Sequence, residues 1–177
     1  MSANPTEAGL LARARGGEHD ALTEIFRRYG QQVLDVAFRI TQSTDEADDV
    51  LQDIFIGLPD ALRGYDGSGS LGAWMRRVAT RASLLRLRTE RRRSKWQERA
   101  AREGRAQQEA PSVESRLTLQ RYLDRMPADL RVVYMLKEVE GYAHGEIADL
   151  LGITAAASEV RLHRARRFLK DRLRGKI

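Results

Sequence analysis

Three histidines (His19, His144 and His163) and a complete lack of cysteine limit the chemistry open to this chain of 177 residues. The histidines are scattered, and none stands in a carboxylate–histidine–nucleophile set. The glycine-rich stretch "GYDGSGS" fits neither fingerprint that cradles a nucleotide phosphate. Without thiols there are no disulfides, zinc knuckles or thiol catalysis. An enzyme is therefore not expected, and neither a metal nor a cofactor is called for. What remains is the chemistry of charge. Residues 42–53 hold five acids (Asp45, Glu46, Asp48, Asp49, Asp53) and no base. Residues 76–105 hold twelve bases and three acids, and residues 161–177 hold eight bases against Asp171 alone. One acidic face and two basic ones imply more than one kind of partner.

A second pattern lies in "GEIADLLGITAAASEVRLHRARRFL", residues 145–169. Ile147, Ala148, Leu150 and Leu151 make the apolar side of a short helix. Gly152 stands where a helix can end in the left-handed conformation, and Thr154 is a good N-cap for the next helix. That next helix has an apolar stripe at Ala155, Ser158, Leu162, Ala165 and Leu169. Its other face offers Ala157, Val160, Arg161 and Arg164. The layout is that of a helix-turn-helix, whose second helix enters the major groove. Small side chains at 155–157 would allow close approach, and Arg161, Arg164, Arg166 and Arg167 could meet phosphates or guanine edges. The competing reading is an ordinary helical hairpin with a solvated basic end.

Helices must position both patterns, because three- and four-residue apolar steps dominate the chain. Leu22, Ile25, Phe26, Tyr29, Val33, Val36 and Ile40 form one stripe. Ala47, Val50, Leu51, Ile54, Phe55 and Leu58 form a second, capped by Ser43 or Thr44. After the loop "RGYDGSGS" (63–70), a third helix is expected to bury Leu71, Trp74, Met75, Val78, Ala82 and Leu85. Arg76, Arg77, Arg81 and Arg88 then fall mostly off that stripe. From 89 to 115 the apolar pattern fades into charge, which reads as a linker, partly helical at best. Periodicity returns from Leu117, and Pro127 opens another helix. No alternation of the strand kind competes. The expected class is all-α: two small helical domains, 1–88 and 116–177, joined by a charged linker, 89–115.

The net charge of +6, from 31 basic and 25 acidic residues, suits a polyanionic partner. The N-terminal stretch lacks a basic start followed by an apolar run, and nowhere do about 18 apolar residues stand together. Neither a signal peptide nor membrane insertion is expected, and the cytoplasm is the expected compartment.

The segment "LDRMPADLRVVYMLKEVEGYAHGEIADLLGIT", continuing into "RLHRARRFLKDRL", resembles region 4 of the extracytoplasmic-function sigma factors. "DEADDVLQDIFIGL" resembles the same family's region 2 helix that grips the largest RNA polymerase subunit. "SLGAWMRRVATRASLLRLRTERRR" resembles its DNA-melting helix. The resemblance spans about residues 8–93 and 114–174, in the family's order. It implies a specificity subunit without chemistry of its own, partnering core RNA polymerase and promoter DNA, monomeric when free and 1:1 with polymerase. An anti-sigma factor is a further candidate partner. Polymerase contact is implied for Asp45, Glu46, Asp49, Gln52 and Asp53, with Ile54 and Phe55 facing inward. Contact with the downstream element and melted strand is implied for Tyr65, Asp66, Arg76, Arg77, Arg81 and Arg88. Tyr65 in the loop is the expected base contact, and Trp74 is expected in the core. Upstream-element contact is implied for Thr154, Ala157, Val160, Arg161, Arg164 and Arg167.

The sequence departs from the family pattern at several places. Ser158 and Val160 look exchanged in polarity, Glu159 stands where a lysine is common, and Ala143 replaces a capping serine. Arg81 stands for an asparagine, Leu85 for a polar residue and Pro59 for a tryptophan. The rival to the family reading is a stand-alone helix-turn-helix regulator. It would bind a symmetric operator and would have no use for the acidic helix.

Overall fold

The structure, a computed structural model, describes residues 7–100 and 117–173, with side chains at 7–90 and 121–173. The chain divides into two compact units between Arg92 and Arg93. Every regular element among the described residues is helical, in agreement with the all-α expectation. No helix among them is long and apolar enough to cross a membrane.

The first unit contains α1 (Glu7–Arg15), α2 (His19–Thr41), α3 (Thr44–Ile56), α4 (Leu58–Arg63) and most of α5 (Leu71–Ala100). The long α2 buries Ile25, Val33, Val36 and Ile40 along one side. Each such fully buried aliphatic side chain contributes roughly 1.5–3 kcal/mol. α2 ends at Gln42, whose left-handed backbone (φ 60°) turns its N–H onto the Phe38 carbonyl at 2.8 Å. Ser43 then caps α3 by accepting from the Glu46 N–H at 3.3 Å. Asp45 and Glu46 in the first turn oppose the positive end of the helix dipole. α3 stops at Gly57, and Pro59 sits in the first turn of α4, where its missing N–H costs nothing.

The apolar face of α5 departs from the expectation. Leu71, Met75, Ala79, Ser83 and Leu84 are buried, while Trp74, Val78 and Ala82 are half-buried and Leu85 is 65% exposed. The buried row advances by four residues at each step, so it winds around the helix by about 40° each time. By the fourth turn this drift has carried Leu85 into solvent. α5 also continues past residue 88 to Ala100, so the first part of the expected linker is helical. The linker residues 101–115 lie outside the described residues.

The second unit contains α6 (Leu117–Asp124), α7 (Ala128–Tyr134), a π-helical turn (Met135–Val139), α8 (His144–Leu151) and α9 (Ala155–Leu173). Leu123, Met126, Met135, Ala165 and Leu169 form a core cluster flanked by Tyr122, Leu130, Tyr134 and Phe168. Arg131 Nη1 lies 3.3–3.4 Å from the carbonyls of Leu123, Asp124 and Met126, closing the end of α6. The expected stripe of α9 is buried at Ser158, Leu162, Ala165 and Leu169. Ala155, expected in that stripe, is exposed in the first turn.

Candidate nucleic-acid interface

Three surfaces carry the chemistry that the sequence singles out. On α3, Asp45, Asp49, Gln52 and Asp53 are exposed, and Glu46 is half-buried. Their three- and four-residue spacing sets them along one side of the helix. Glu46 and Asp49 are already engaged. Arg86 of α5 donates its Nε to Glu46 and an Nη to Asp49, and the Glu46 hydrogen bond raises the guanidinium pKa further above its usual value. Asp45, Gln52 and Asp53 have no such side-chain partner among the described residues. Ile56 continues the row and is 80% exposed. Phe55 is half-buried, its ring meeting that of Phe26 edge-on at 4.9 Å, while Ile54 is buried.

The second surface is the 63–70 loop with the start of α5. Here Tyr65, the expected base contact, lies beneath the loop. Tyr65 is only 3% exposed, its hydroxyl donates to the Gly69 carbonyl at 2.8 Å, and its ring packs on Trp74 at 5.3 Å. An aromatic ring this apolar, beside a folded-back loop, is more stable inside than in water, and it supports the loop from beneath. Trp74, expected in the core, is half-buried above it. Asp66 is exposed; the Ser68 N–H donates to it at 2.8 Å and holds its carboxyl below the usual carboxylate range. Arg76, Arg77, Arg81 and Arg88 are all exposed on α5. Arg76 and Arg81 pair with no acid among the described residues, and the charge of Arg77 also acts on Asp66.

The third surface is α9. Gly152 ends α8 with φ 65°, a conformation that costs glycine little, and its N–H reaches the Ala148 carbonyl. Thr154 caps α9 by accepting from the Ala157 N–H at 3.1 Å. At the start of α8, Glu146 accepts from the Ala143 N–H at 2.7 Å, supplying the half of a capping box that does not need a serine. Ser158 is fully buried, with its hydroxyl 2.9 Å from His144 Nδ1, so one hydrogen bond ties α8 to α9. Val160, Arg164 and Arg167 are exposed, and Ala157 and Arg161 are half-buried. Arg161 lies 3.8 Å from Asp129, Arg166 lies 2.5 Å from Glu138, and Arg167 lies 3.8 Å from Asp171. Arg164 has no acidic partner among the described residues.

Residues 25–93 match sigma-70 region 2, and residues 116–169 match sigma-70 region 4. Together the two matches cover well over half of the chain, in the family's order. This chain belongs to the extracytoplasmic-function sigma factors. It is 28% identical over 163 residues to the sigma factor SigM of Mycobacterium tuberculosis, covering 91% of this chain and 81% of SigM. The sigma factor RpoE of Bartonella quintana, solved with the anti-sigma factor NepR, shares the fold with a TM-score of 0.62. That match is 18% identical and covers 88% of this chain and 98% of the other. CnrH, solved with the cytosolic domain of CnrY, gives a TM-score of 0.55 at 25% identity, covering 95% and 97%. As a sigma factor the chain is an RNA-polymerase-binding, promoter-specific initiation factor, and its partners are core polymerase and promoter DNA. The family is one of transcription initiation factors without catalysis of their own.

Within this sigma factor, sequence reasoning missed three residues that organise region 2. Arg86 went unnoticed because it is one base among twelve. Glu7 and Arg15 of α1 went unnoticed because a short helix with three buried residues carries little periodic signal. Only contacts distant in sequence reveal them.

Proposed function

We propose that residues 1–88 act as the polymerase-docking and downstream-element unit, 89–115 as the linker, and 116–177 as the upstream-element unit. In this reading the α3 row of Asp45, Glu46, Asp49, Gln52 and Asp53 meets basic groups of core polymerase. The exposure of Asp53 and Gln52, with no side-chain hydrogen bond to either among the described residues, is the observation that carries it. Arg76, Arg77, Arg81 and Arg88 track phosphates of the melting strand, and the loop around Asp66 reads the downstream element with Tyr65 as its support. Thr154, Ala157, Val160, Arg161, Arg164 and Arg167 face the upstream element. The chain supplies promoter choice and strand opening, polymerase supplies catalysis, and the site is the cytoplasm, with the free chain a monomer. The two solved relatives bound to NepR and CnrY support an anti-sigma factor as a further partner.

Reversal of Asp53 to Lys tests the docking face, because the hydrogen bonds of Arg86 go to Glu46 and Asp49 and not to Asp53. Co-purification of the full chain with core polymerase should be lost while helical content by circular dichroism is unchanged. Undiminished binding by a folded Asp53→Lys chain refutes the assignment.

A further inference from the structure

Two charged side chains of α1 reach the opposite ends of the 64–70 loop, one at the end of α4 and one at the start of α5. At the entering end, Arg15 donates Nε to the Leu62 carbonyl at 2.9 Å and an Nη to the Tyr65 carbonyl. At the leaving end, Glu7 accepts the Leu71 N–H at 3.1 Å, and its other oxygen accepts from the Tyr29 hydroxyl at 3.4 Å. Eight residues of helix, about 12 Å at 1.5 Å per residue, separate Glu7 from Arg15. α1 is itself fixed by the buried Leu10, Leu11 and Ala14. A rigid rod therefore holds both ends of the loop at a set distance. Inside, Tyr65 donates to Gly69, Asp66 accepts from Ser68, and Gly67 and Gly69 take left-handed backbone. Such a loop has few shapes left once its ends are fixed. α1 lies outside the segment that matches region 2, which begins at residue 25.

The geometry points to Glu7 and Arg15 as positioning residues that set the loop's shape for reading a base of the downstream promoter element. This rests on the loop reading proposed above. Neither residue need touch DNA. A pocket that discriminates bases must hold its groups to within roughly half an ångström, and a free glycine loop does not. The planar fork of Arg15, bonded to two carbonyls at once, fixes direction as well as distance.

The test uses the full chain with core polymerase on linear templates randomised across both promoter elements, with the transcribed templates sequenced. The wild-type chain defines the preferred base at each position. Arg15→Ala and Glu7→Ala should each lower the downstream preference by about tenfold, the scale of one mismatched base pair. The upstream preference, read by the other unit, should not change. Glu7→Gln keeps an oxygen acceptor for Leu71 and should restore the downstream preference, which separates positioning from loss of the folded chain. Gly67→Val forces a branched side chain into a left-handed backbone (φ 81°) and deforms the loop directly. If Gly67→Val flattens the downstream preference while Arg15→Ala and Glu7→Ala leave it intact, α1 only packs, and the inference is overturned while the loop reading stands. If Gly67→Val also leaves the preference intact, the loop is not the reader, and both fall.

Discussion

Ser158 is a polar residue in a fully buried position, and His144 makes that position tenable. A buried hydroxyl without a partner costs about 1–3 kcal/mol, and the 2.9 Å contact removes that cost. The apparent exchange of polarity with Val160 then has a physical sense. Serine serves the α8–α9 joint, and Val160, 49% exposed, offers an apolar group of the kind that meets a thymine methyl. Arg161 and Arg164 share that face, but among the described residues only Arg161 of the two has an acid nearby. Arg161→Ala and Arg164→Ala should each cost about 1–3 kcal/mol of upstream-element discrimination if they grip base edges. If they meet phosphates, binding should instead weaken on all sequences and the salt slope should flatten. Competition binding of the polymerase-bound chain at several salt concentrations distinguishes these, and no change in either quantity would remove α9 from the interface. Tyr65→Phe removes one hydrogen bond within the loop. Urea unfolding should show a loss of about 1 kcal/mol, and an unchanged midpoint would mean that the Gly69 contact is replaced by water.

At the scale of elements, caps were more legible than faces. Ser43, Pro127, Gly152 and Thr154 act where their types predict, because capping and turn chemistry depend on adjacent backbone alone. The burial of α5 was less legible, since a row of four-residue steps and a row of mixed steps are both helical patterns. What packs against Ala79 and Ser83 decides between them, and the sequence does not list neighbours in space. The burial of Tyr65 was illegible for the same reason: composition marks a loop but not which of its side chains folds under it. The Arg86 pairs, which join α3 to α5, also lie beyond local pattern. Because Arg86, Glu46 and Asp49 are each partly exposed, the pairs should contribute modestly. A double-mutant cycle with Glu46→Ala and Arg86→Ala should give a coupling of about 0.2–1 kcal/mol that shrinks with added salt. A coupling of several kcal/mol, insensitive to salt, would contradict this weighting.

Across the whole molecule, the division of charge matches a division of labour. Exposed acids stand on α3 and exposed arginines on α5 and α9, so the surfaces expected to meet basic and polyanionic partners lie on different helices. The order of the two regions was legible because each carries its own motif. The reach of α5 into the linker was legible only in part, as a stretch partly helical at best, since a charged helix and a charged coil share a composition. Promoter-specific initiation conferred on core polymerase through the acidic face of α3 is open to direct test. Run-off transcription on linear randomised-promoter templates tests it most directly, with core polymerase alone, with the wild-type chain and with Asp53→Lys. Sequence-selected transcripts should appear with the wild-type chain and not with core polymerase alone, and should fall at least about tenfold with folded Asp53→Lys through loss of a charge-complementary contact. Equal transcription by core polymerase alone, or undiminished transcription with Asp53→Lys, would contradict it.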